Sequence, residues 1–327
     1  MFEVREQNGI MEMIIEDRER TEALKRDYSQ PSRVLTRDQI EAYEKNGYIV
    51  VKGLISDFEV NDYIARFEEI VDGKNIHPEM TVMRNVAQKG QKRTVKTILK
   101  VQDFSADKRL FSYCQHPRIV EVVEDLIGPS KGKLSTINAM LLNKPSDDGS
   151  LSTRHPMHQD MYYFPFRPAD FICCSWTALE PVNRENGCLV VIPGTHKLPL
   201  LPHTYPSWEG GVNKAFFGVH EFDQDKRVHV VMDKGDTVFF HPHLLHGSGA
   251  NRTKGFRRAM SCHYANGDVC RFVDIRGGQQ DLAASELLTI YEKKFKARGW
   301  KWPEWNIQVN LGAFFARKRE KLGESVR

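Results

Sequence analysis

Apolar positions recur at helical spacing in the first part of the chain. Thr36 and Ser56 each begin a capping box, and apolar residues follow at intervals of three and four. Residues 48–51 form a β-branched run between these two segments, which predicts a strand. The stretch 117–127 opens with proline and ends before a Gly-Pro pair, so it predicts another helix.

The pattern changes after residue 133. Short apolar or alternating runs follow one another and are separated by glycine-containing turns. Regularly spaced short strands are typical of a β-sandwich or barrel. The predicted strands are 134–142, 171–179, 188–192, 228–232, 237–240 and 256–264.

Residues 1–33 are polar, mixed in charge and poorly patterned, which predicts an N-terminal extension. The usual domain size suggests two domains for 327 residues, but all-β domains often run longer. We therefore expect one domain over 34–327, with helices at both of its ends. Tryptophans at 300, 302 and 305 suggest helical packing outside the barrel.

Composition narrows the class of protein. Hydrophobic residues make up 40% and charged residues 28%, as in ordinary soluble enzymes, and a net charge of +4 gives no indication of nucleic-acid binding. No apolar run approaches the length of a membrane helix, and the first residues lack a secretory pattern. None of the six cysteines forms a C-x-x-C pair, which predicts buried free thiols.

Candidate chemistry is concentrated in the segment His-Pro-Met-His-Gln-Asp at 155–160. In an extended chain, residues two apart point to the same face, so His158 and Asp160 could bind one metal ion. Two histidines and one carboxylate, with other positions open, suit non-haem iron(II). An isolated H-x-D also occurs often by chance.

A third ligand must come from a distant segment, and the candidates are His241, His243 and His246. We choose His246, because the glycines one and three positions later would leave space for small ligands. His155, His241 and His243 are then expected to be structural hydrogen-bonding residues.

Arg257 lies at the start of the predicted strand 256–264 and shares a face with Ala259, Ser261 and His263. Small neighbours leave room for a ligand, and a buried guanidinium binds a carboxylate through two parallel hydrogen bonds. Alternatively, Arg257 or its neighbour Arg258 is simply a solvated charge at a strand edge.

Several segments together resemble the phytanoyl-CoA dioxygenase family. The similarity runs from about residue 35 to about residue 275, and the blocks at 187–197 and 208–214 are its narrowest signatures. The other similar segments are 81–84, 100–104, 154–160, 163–168 and 235–249.

The resemblance implies a fold and a site. The fold would be mainly β with flanking helices, a double-stranded β-helix of the jelly-roll type found in 2-oxoglutarate oxygenases. His158, Asp160 and His246 match the family's iron ligands, and Arg257 matches the arginine that pairs with the distal carboxylate of 2-oxoglutarate. The remaining positions matched to the cosubstrate pocket are Lys100, Met140, Trp176 and Ser248.

The resemblance also implies a reaction. Iron(II), 2-oxoglutarate and O₂, with ascorbate in support, would hydroxylate the 2-position of a 3-methyl-branched acyl-CoA such as phytanoyl-CoA, in fatty acid α-oxidation. The basic residues Lys89, Lys92 and Arg93 could approach the coenzyme A phosphates. The family's location is the peroxisome, although the last residues are not a peroxisomal S-K-L address, which leaves the cytoplasm as an alternative.

Other functions remain open at this point. The chain could oxidise a different small molecule or lipid, act as a cupin-like metal enzyme, or bind without catalysing. Halogenation is disfavoured, because halogenating relatives lack the carboxylate ligand that Asp160 would supply. Patterning does not indicate the oligomeric state.

Overall fold

The computed structural model describes residues 32–85, 88, 90–130, 133–208, 213, 215–275, 277–297 and 299. Nearly all of the predicted extension 1–33 and the tryptophans between 300 and 305 lie outside these residues. Two antiparallel sheets contribute side chains to one cavity between them. None of the described helices is both long and apolar enough to cross a membrane.

Within the described residues, five helices flank the sheets. Both predicted capping boxes are present, with the side chains of Thr36 and Ser56 accepting from the backbone three residues later. Gly47 ends the first helix with φ 81°, a left-handed conformation that favours glycine. The helices are α1 (Arg37–Asn46), α2 (Asp57–Val71), α3 (Lys108–Cys114), α4 (Pro117–Ile127) and α5 (Asp281–Ala297).

The strands form sheets of seven, four and two strands. The large sheet has the order β1-β10-β7-β12-β4-β3-β2, the second sheet has the order β5-β11-β8-β9, and β13 pairs with β6. The strands are β1 (Tyr48–Val51), β2 (Thr81–Arg84), β3 (Ile98–Gln102), β4 (Leu134–Lys144), β5 (His155–His158), β6 (Phe166–Arg167), β7 (Ile172–Ala178), β8 (Leu189–Val191), β9 (Val228–Val230), β10 (Thr237–Phe240), β11 (His246–Ser248), β12 (Arg257–Asn266) and β13 (Arg271–Phe272).

This arrangement confirms the predicted double-stranded β-helix with flanking helices. All seven predicted strands are present, with ends that differ by at most two residues from the prediction. The strands without a clear pattern were missed, above all β5 and β11. They have four and three residues, too few for a periodic signal.

Helices α1 to α4 cover the outer face of the large sheet. Side chains of α2 and α4, including Phe67, Ile70 and Val122, pack in one core with Leu141 and Met260 of the sheet. Complete burial of such side chains contributes about 1.5–3 kcal/mol each. The opposite face of the same strands is therefore free to form the cavity.

One buried ion pair ties α2 to α3. Arg66 donates from Nε to Asp107 Oδ2 at 2.7 Å, and the two side chains are only 6% and 7% exposed. The other oxygen of Asp107 accepts from the Leu110 backbone and so caps α3. The pair thus holds α2 and α3 together within the layer of helices.

Replacing Arg66 by methionine is expected to lower the free energy of unfolding by about 3–5 kcal/mol, because Asp107 is left buried without its charged partner. Urea unfolding followed by circular dichroism measures this. Arg37→Met is the matched control, since Arg37 forms an exposed i,i+4 pair with Glu41 and should change stability little. Equal, small losses in both variants would contradict the assignment.

Candidate metal centre and cosubstrate cavity

The pairing of two short strands brings the first group of candidate residues together. In the β5–β11 pair, His246 lies directly opposite His158. Asp160 follows β5 by two residues and begins a short 3-10 helix. The Nε2 atoms of His158 and His246 lie 3.2 Å and 3.6 Å from the two carboxylate oxygens of Asp160.

Backbone carbonyls determine which ring nitrogens carry hydrogen. Nδ1 of His158 donates to Pro156 O, and Nδ1 of His246 donates to Leu244 O, both at 2.9 Å. A neutral ring then presents an unprotonated Nε2 to the carboxylate. Burial lowers the pKa of His246 to about 4, so its ring is neutral near pH 7. The lone pairs of the two Nε2 atoms and of the Asp160 carboxylate thus converge, and a bound cation would stabilise this arrangement.

A further histidine holds the carboxylate from the other side. His263 on β12 is 2% exposed, and its Nε2 donates to Asp160 Oδ2 at 2.7 Å. Burial alone would raise the pKa of Asp160, but the hydrogen bond that His263 donates helps to keep it well below its usual range. Asp160 is therefore an ionised and oriented ligand, as a metal centre requires.

The ligand atoms of His158, Asp160 and His246 all lie within 4.8 Å of one another, as do those of Asp160, Cys174 and His263. Burial raises the pKa of the Cys174 thiol well above its ordinary value, which disfavours the thiolate that a metal needs. The two-histidine, one-carboxylate group is thus the better candidate, and it fits iron(II).

The same cavity, of about 280 Å³, contains a second polar group at the end of β12. Arg257 is 3% exposed, and its Nε and Nη1 atoms have no hydrogen-bond partner among the described residues. Its guanidinium lies 5.3 Å from the ring centroid of Trp176, and Ser248 lines the cavity nearby. A buried guanidinium with free donors requires an anion.

Lys100 and Met140 line the same cavity. Burial lowers the pKa of Lys100, although Asp103 and Asp160 act in the opposite direction. Its Nζ lies 6.0 Å from the centroid of Phe216. All eight predicted site residues therefore meet at one cavity.

The other sequence candidates are placed elsewhere or differently. His241 bonds to Asp170 at 3.0 Å and His243 to Leu198 O at 2.9 Å, and neither lines the cavity. His155 does line it, with its ring edge-on to His158. Arg258 faces outward and pairs with Glu180 at 2.6 Å.

Only one of the two glycines that follow His246 leaves the space that was expected of both. A Cβ at Gly247 would lie 2.9 Å from His155 O and 3.0 Å from Pro156 O. This glycine therefore allows close approach of β5 and leaves no space for ligands there. Open space is found only at Gly249.

Two of the three residues of the predicted basic cluster are described, and they lie outside the cavity. Arg93 donates to Ile70 O at the end of α2, and Lys92 is exposed. Neither residue lines the cavity, and Lys89 is outside the described residues.

Four functional candidates were missed in the sequence. Lys144 is a buried lysine at the end of β4, and Leu287 and Ile290 of α5 line the cavity at helical spacing. The sequence pattern places His263 on the same strand face as Arg257, but it does not indicate that His263 contacts Asp160. The alternation of side chains along β12 could have suggested that His263 enters the site. The sequence pattern does not predict where α5 packs.

A double-stranded β-helix with a His-x-Asp and distal-His group in its cavity defines the class of non-haem oxygenase folds. Solved structures of that class share the fold. The epimerase SnoN from nogalamycin biosynthesis, in complex with Fe3+, α-ketoglutarate and nogalamycin RO, has a TM-score of 0.56 and 24% identity, over 73% of this chain and 86% of that one. EctD from S. alaskensis has a TM-score of 0.58 and 18% identity, over 75% and 81%.

Sequence comparison gives the family. The profile described as Phytanoyl-CoA dioxygenase (PhyH) matches residues 43–259, and this chain belongs to that family. A Caenorhabditis elegans relative named "Probable phytanoyl-CoA dioxygenase" is 53% identical over 84% of this chain and 89% of its own length. The human "Phytanoyl-CoA dioxygenase, peroxisomal" is 49% identical over 83% of this chain and 80% of its own.

Metal binding tests the triad directly. His246→Ala and Asp160→Ala are each expected to abolish stoichiometric Co(II) binding, because one of three converging ligands is lost. Calorimetry and the visible Co(II) spectrum measure this. His243→Ala is the control, since it removes a nearby histidine that lies outside the cavity. Retention of full metal binding by His246→Ala would exclude His246 as a ligand.

Proposed function

We propose that the chain is an iron(II)- and 2-oxoglutarate-dependent dioxygenase that hydroxylates carbon 2 of a 3-methyl-branched fatty acyl-CoA. One observation carries the proposal. The partnerless donors of buried Arg257 lie in the same cavity as the His158–Asp160–His246 group. A metal ligand set and an anion site in one enclosed space suit a 2-oxo dicarboxylate that contacts both.

In this proposal His158, Asp160 and His246 hold the iron. Three protein ligands would leave the metal able to bind a cosubstrate as well. Iron bound there supplies oxygen activation, which couples decarboxylation of 2-oxoglutarate to hydroxylation of the substrate. His263 keeps Asp160 in place through its second oxygen, so that the ligand geometry does not change with each turnover.

Arg257 and Ser248 bind the distal carboxylate of 2-oxoglutarate. The partnerless Nε and Nη1 donors of the guanidinium are available for charge-assisted hydrogen bonds to a carboxylate. Trp176 supports the guanidinium from its ring face and prevents it from turning away. Lys100 and Met140 border the route between this end and the iron ligands.

The acyl group is held by the apolar part of the cavity. Tyr163, Phe164 and Phe216 lie there, with Leu287 and Ile290 from α5. The Tyr163 hydroxyl donates to Ala215 O at 2.8 Å, so the ring is fixed. In this proposal coenzyme A stays outside the cavity while the acyl end reaches the metal ligands. Phytanoyl-CoA is the substrate in the relatives' names.

Two further parts of the proposal rest on the same relatives. The rat and human proteins are named peroxisomal, which supports a peroxisomal location and a role in fatty acid α-oxidation. We also propose that residues 34–327 form a single oxygenase domain, because strands from 48 to 272 build one set of sheets.

Arg257→Ala should raise the KM for 2-oxoglutarate by about ten- to a hundredfold, as expected for loss of a charge-assisted hydrogen bond. The KM for the acyl-CoA should change far less. Arg257→Lys should not restore affinity, because an ammonium lacks the planar fork. Arg258→Ala is the matched control, since that side chain points outward to Glu180. An unchanged KM in Arg257→Ala would move the anchor to another residue, with Lys100 tested next.

The reaction has a direct isotopic test. Incubation with phytanoyl-CoA, iron(II), 2-oxoglutarate and ¹⁸O₂ should place one label in the 2-hydroxyacyl product and one in succinate, as mass spectrometry would show. Free phytanic acid is the control for the thioester. Product from the free acid alone would refute the acyl-CoA assignment and leave the oxygenase assignment intact. Succinate formation without labelled product would instead indicate a different substrate.

A further inference from the structure

A second buried cation lies beside Arg257 and has no role in the mechanism described so far. Lys144 is the last residue of β4, is 5% exposed and pairs directly with Arg257 across the β4–β12 ladder. Both side chains line the cavity. Neither forms an ion pair with a carboxylate among the residues that the structure describes. Two adjacent buried cations are costly unless an anion reaches them.

The hydrogen bonds of Lys144 determine the direction of a neighbouring hydroxyl. Its Nζ donates to Ser248 Oγ at 2.7 Å and to Gly249 O at 2.5 Å. Burial, with the neighbouring charge of Arg257, lowers the pKa of Lys144 well below its ordinary value, so an anion in the cavity would be needed to favour its charged form. In that form the ammonium has only donors, and Ser248 Oγ must accept in this contact. The Ser248 hydroxyl therefore keeps its own hydrogen for another acceptor, and none is found within the described part of the chain.

We propose that Lys144 is a positioning residue for the distal carboxylate of the 2-oxo acid: it holds the Ser248 hydroxyl so that its hydrogen points into the cavity beside Arg257. The inference rests on the proposed function, because it takes 2-oxoglutarate as the occupant of that end. In its charged form Lys144 would also add positive charge there, which favours a dicarboxylic 2-oxo acid over a monocarboxylic one. A purely structural lysine would show no such preference.

Binding measurements with Mn(II) in place of iron separate the two roles without turnover. Lys144→Met keeps the aliphatic stem and should weaken 2-oxoglutarate binding about tenfold in calorimetry, the size of one charge-assisted contact. Binding of pyruvate, which lacks the distal carboxylate, should change less than about twofold. Lys92→Met is the matched control, since Lys92 is exposed and outside the cavity.

A double-mutant cycle tests whether Lys144 acts through Ser248. In the Ser248→Ala background, Lys144→Met should weaken 2-oxoglutarate binding by clearly less than it does in the wild-type chain. Fully additive effects, or equal losses for 2-oxoglutarate and pyruvate, would overturn the proposal. Should Lys144→Met fail to fold, Lys144→Leu provides a second apolar side chain that cannot donate to Ser248, and the same comparisons apply to it.

The controls also distinguish this inference from the proposed function. If the wild-type protein with Mn(II) does not bind 2-oxoglutarate, the proposed function is wrong. If the wild type binds 2-oxoglutarate and Lys144→Met binds it equally well, only the role of Lys144 is wrong.

Discussion

The alternation of side chains along β12 is the constraint on which the rest of the structure depends. This strand pairs with β4 on one side and β7 on the other, so neither edge is free. One face carries Met260 and Tyr264 into the core beneath the helices, and the other carries Arg257 and His263 into the cavity. A slip of one residue would exchange these two sets and destroy the core and the site together. The hydrophobic core therefore enforces the register that places the anion site and the support of Asp160 on one face.

The cavity is assembled from groups that are individually unfavourable to bury. Arg257 has unpaired donors, Lys144 lies next to it, and Asp160 lies close to the Nε2 atoms of His158 and His246, which carry no hydrogen. Burial lowers the pKa of Arg257 to about 10, which reflects how poorly its charge is compensated by protein atoms. A sequence selected for stability alone would not keep such a set. The imbalance is resolved if a cation binds at the histidine end and an anion at the arginine end, the charge pattern of a metal-bound dicarboxylate.

Sequence patterns predicted the parts whose signal is local. Thr36 and Ser56 revealed their helices because capping is decided within four residues, and the run containing Trp176 revealed its strand because burial on both faces makes it continuously apolar. The site was predicted through its residue types and the family resemblance. What could not be predicted depends on contacts between distant segments. The role proposed for Lys144 depends on its pairing with Arg257, which lies 113 positions later in the chain. The need for glycine at position 247 depends on its close approach to the backbone of β5.

The two ends of the cavity are built differently, which bears on how specificity arises. Strands β4, β5, β11 and β12 carry or adjoin the candidate metal ligands and Arg257, and ladder hydrogen bonds fix the backbone from which these side chains extend. The apolar end is closed in part by Leu287 and Ile290 of α5, a helix that lies beyond the 43–259 region matched by the family profile. A helix that packs through side chains can shift or change residues without disturbing strand register. Side chains of α5 can therefore change the shape of the cavity without disturbing the strands that hold the candidate metal ligands, because the helix and those strands share a cavity and no hydrogen-bond ladder.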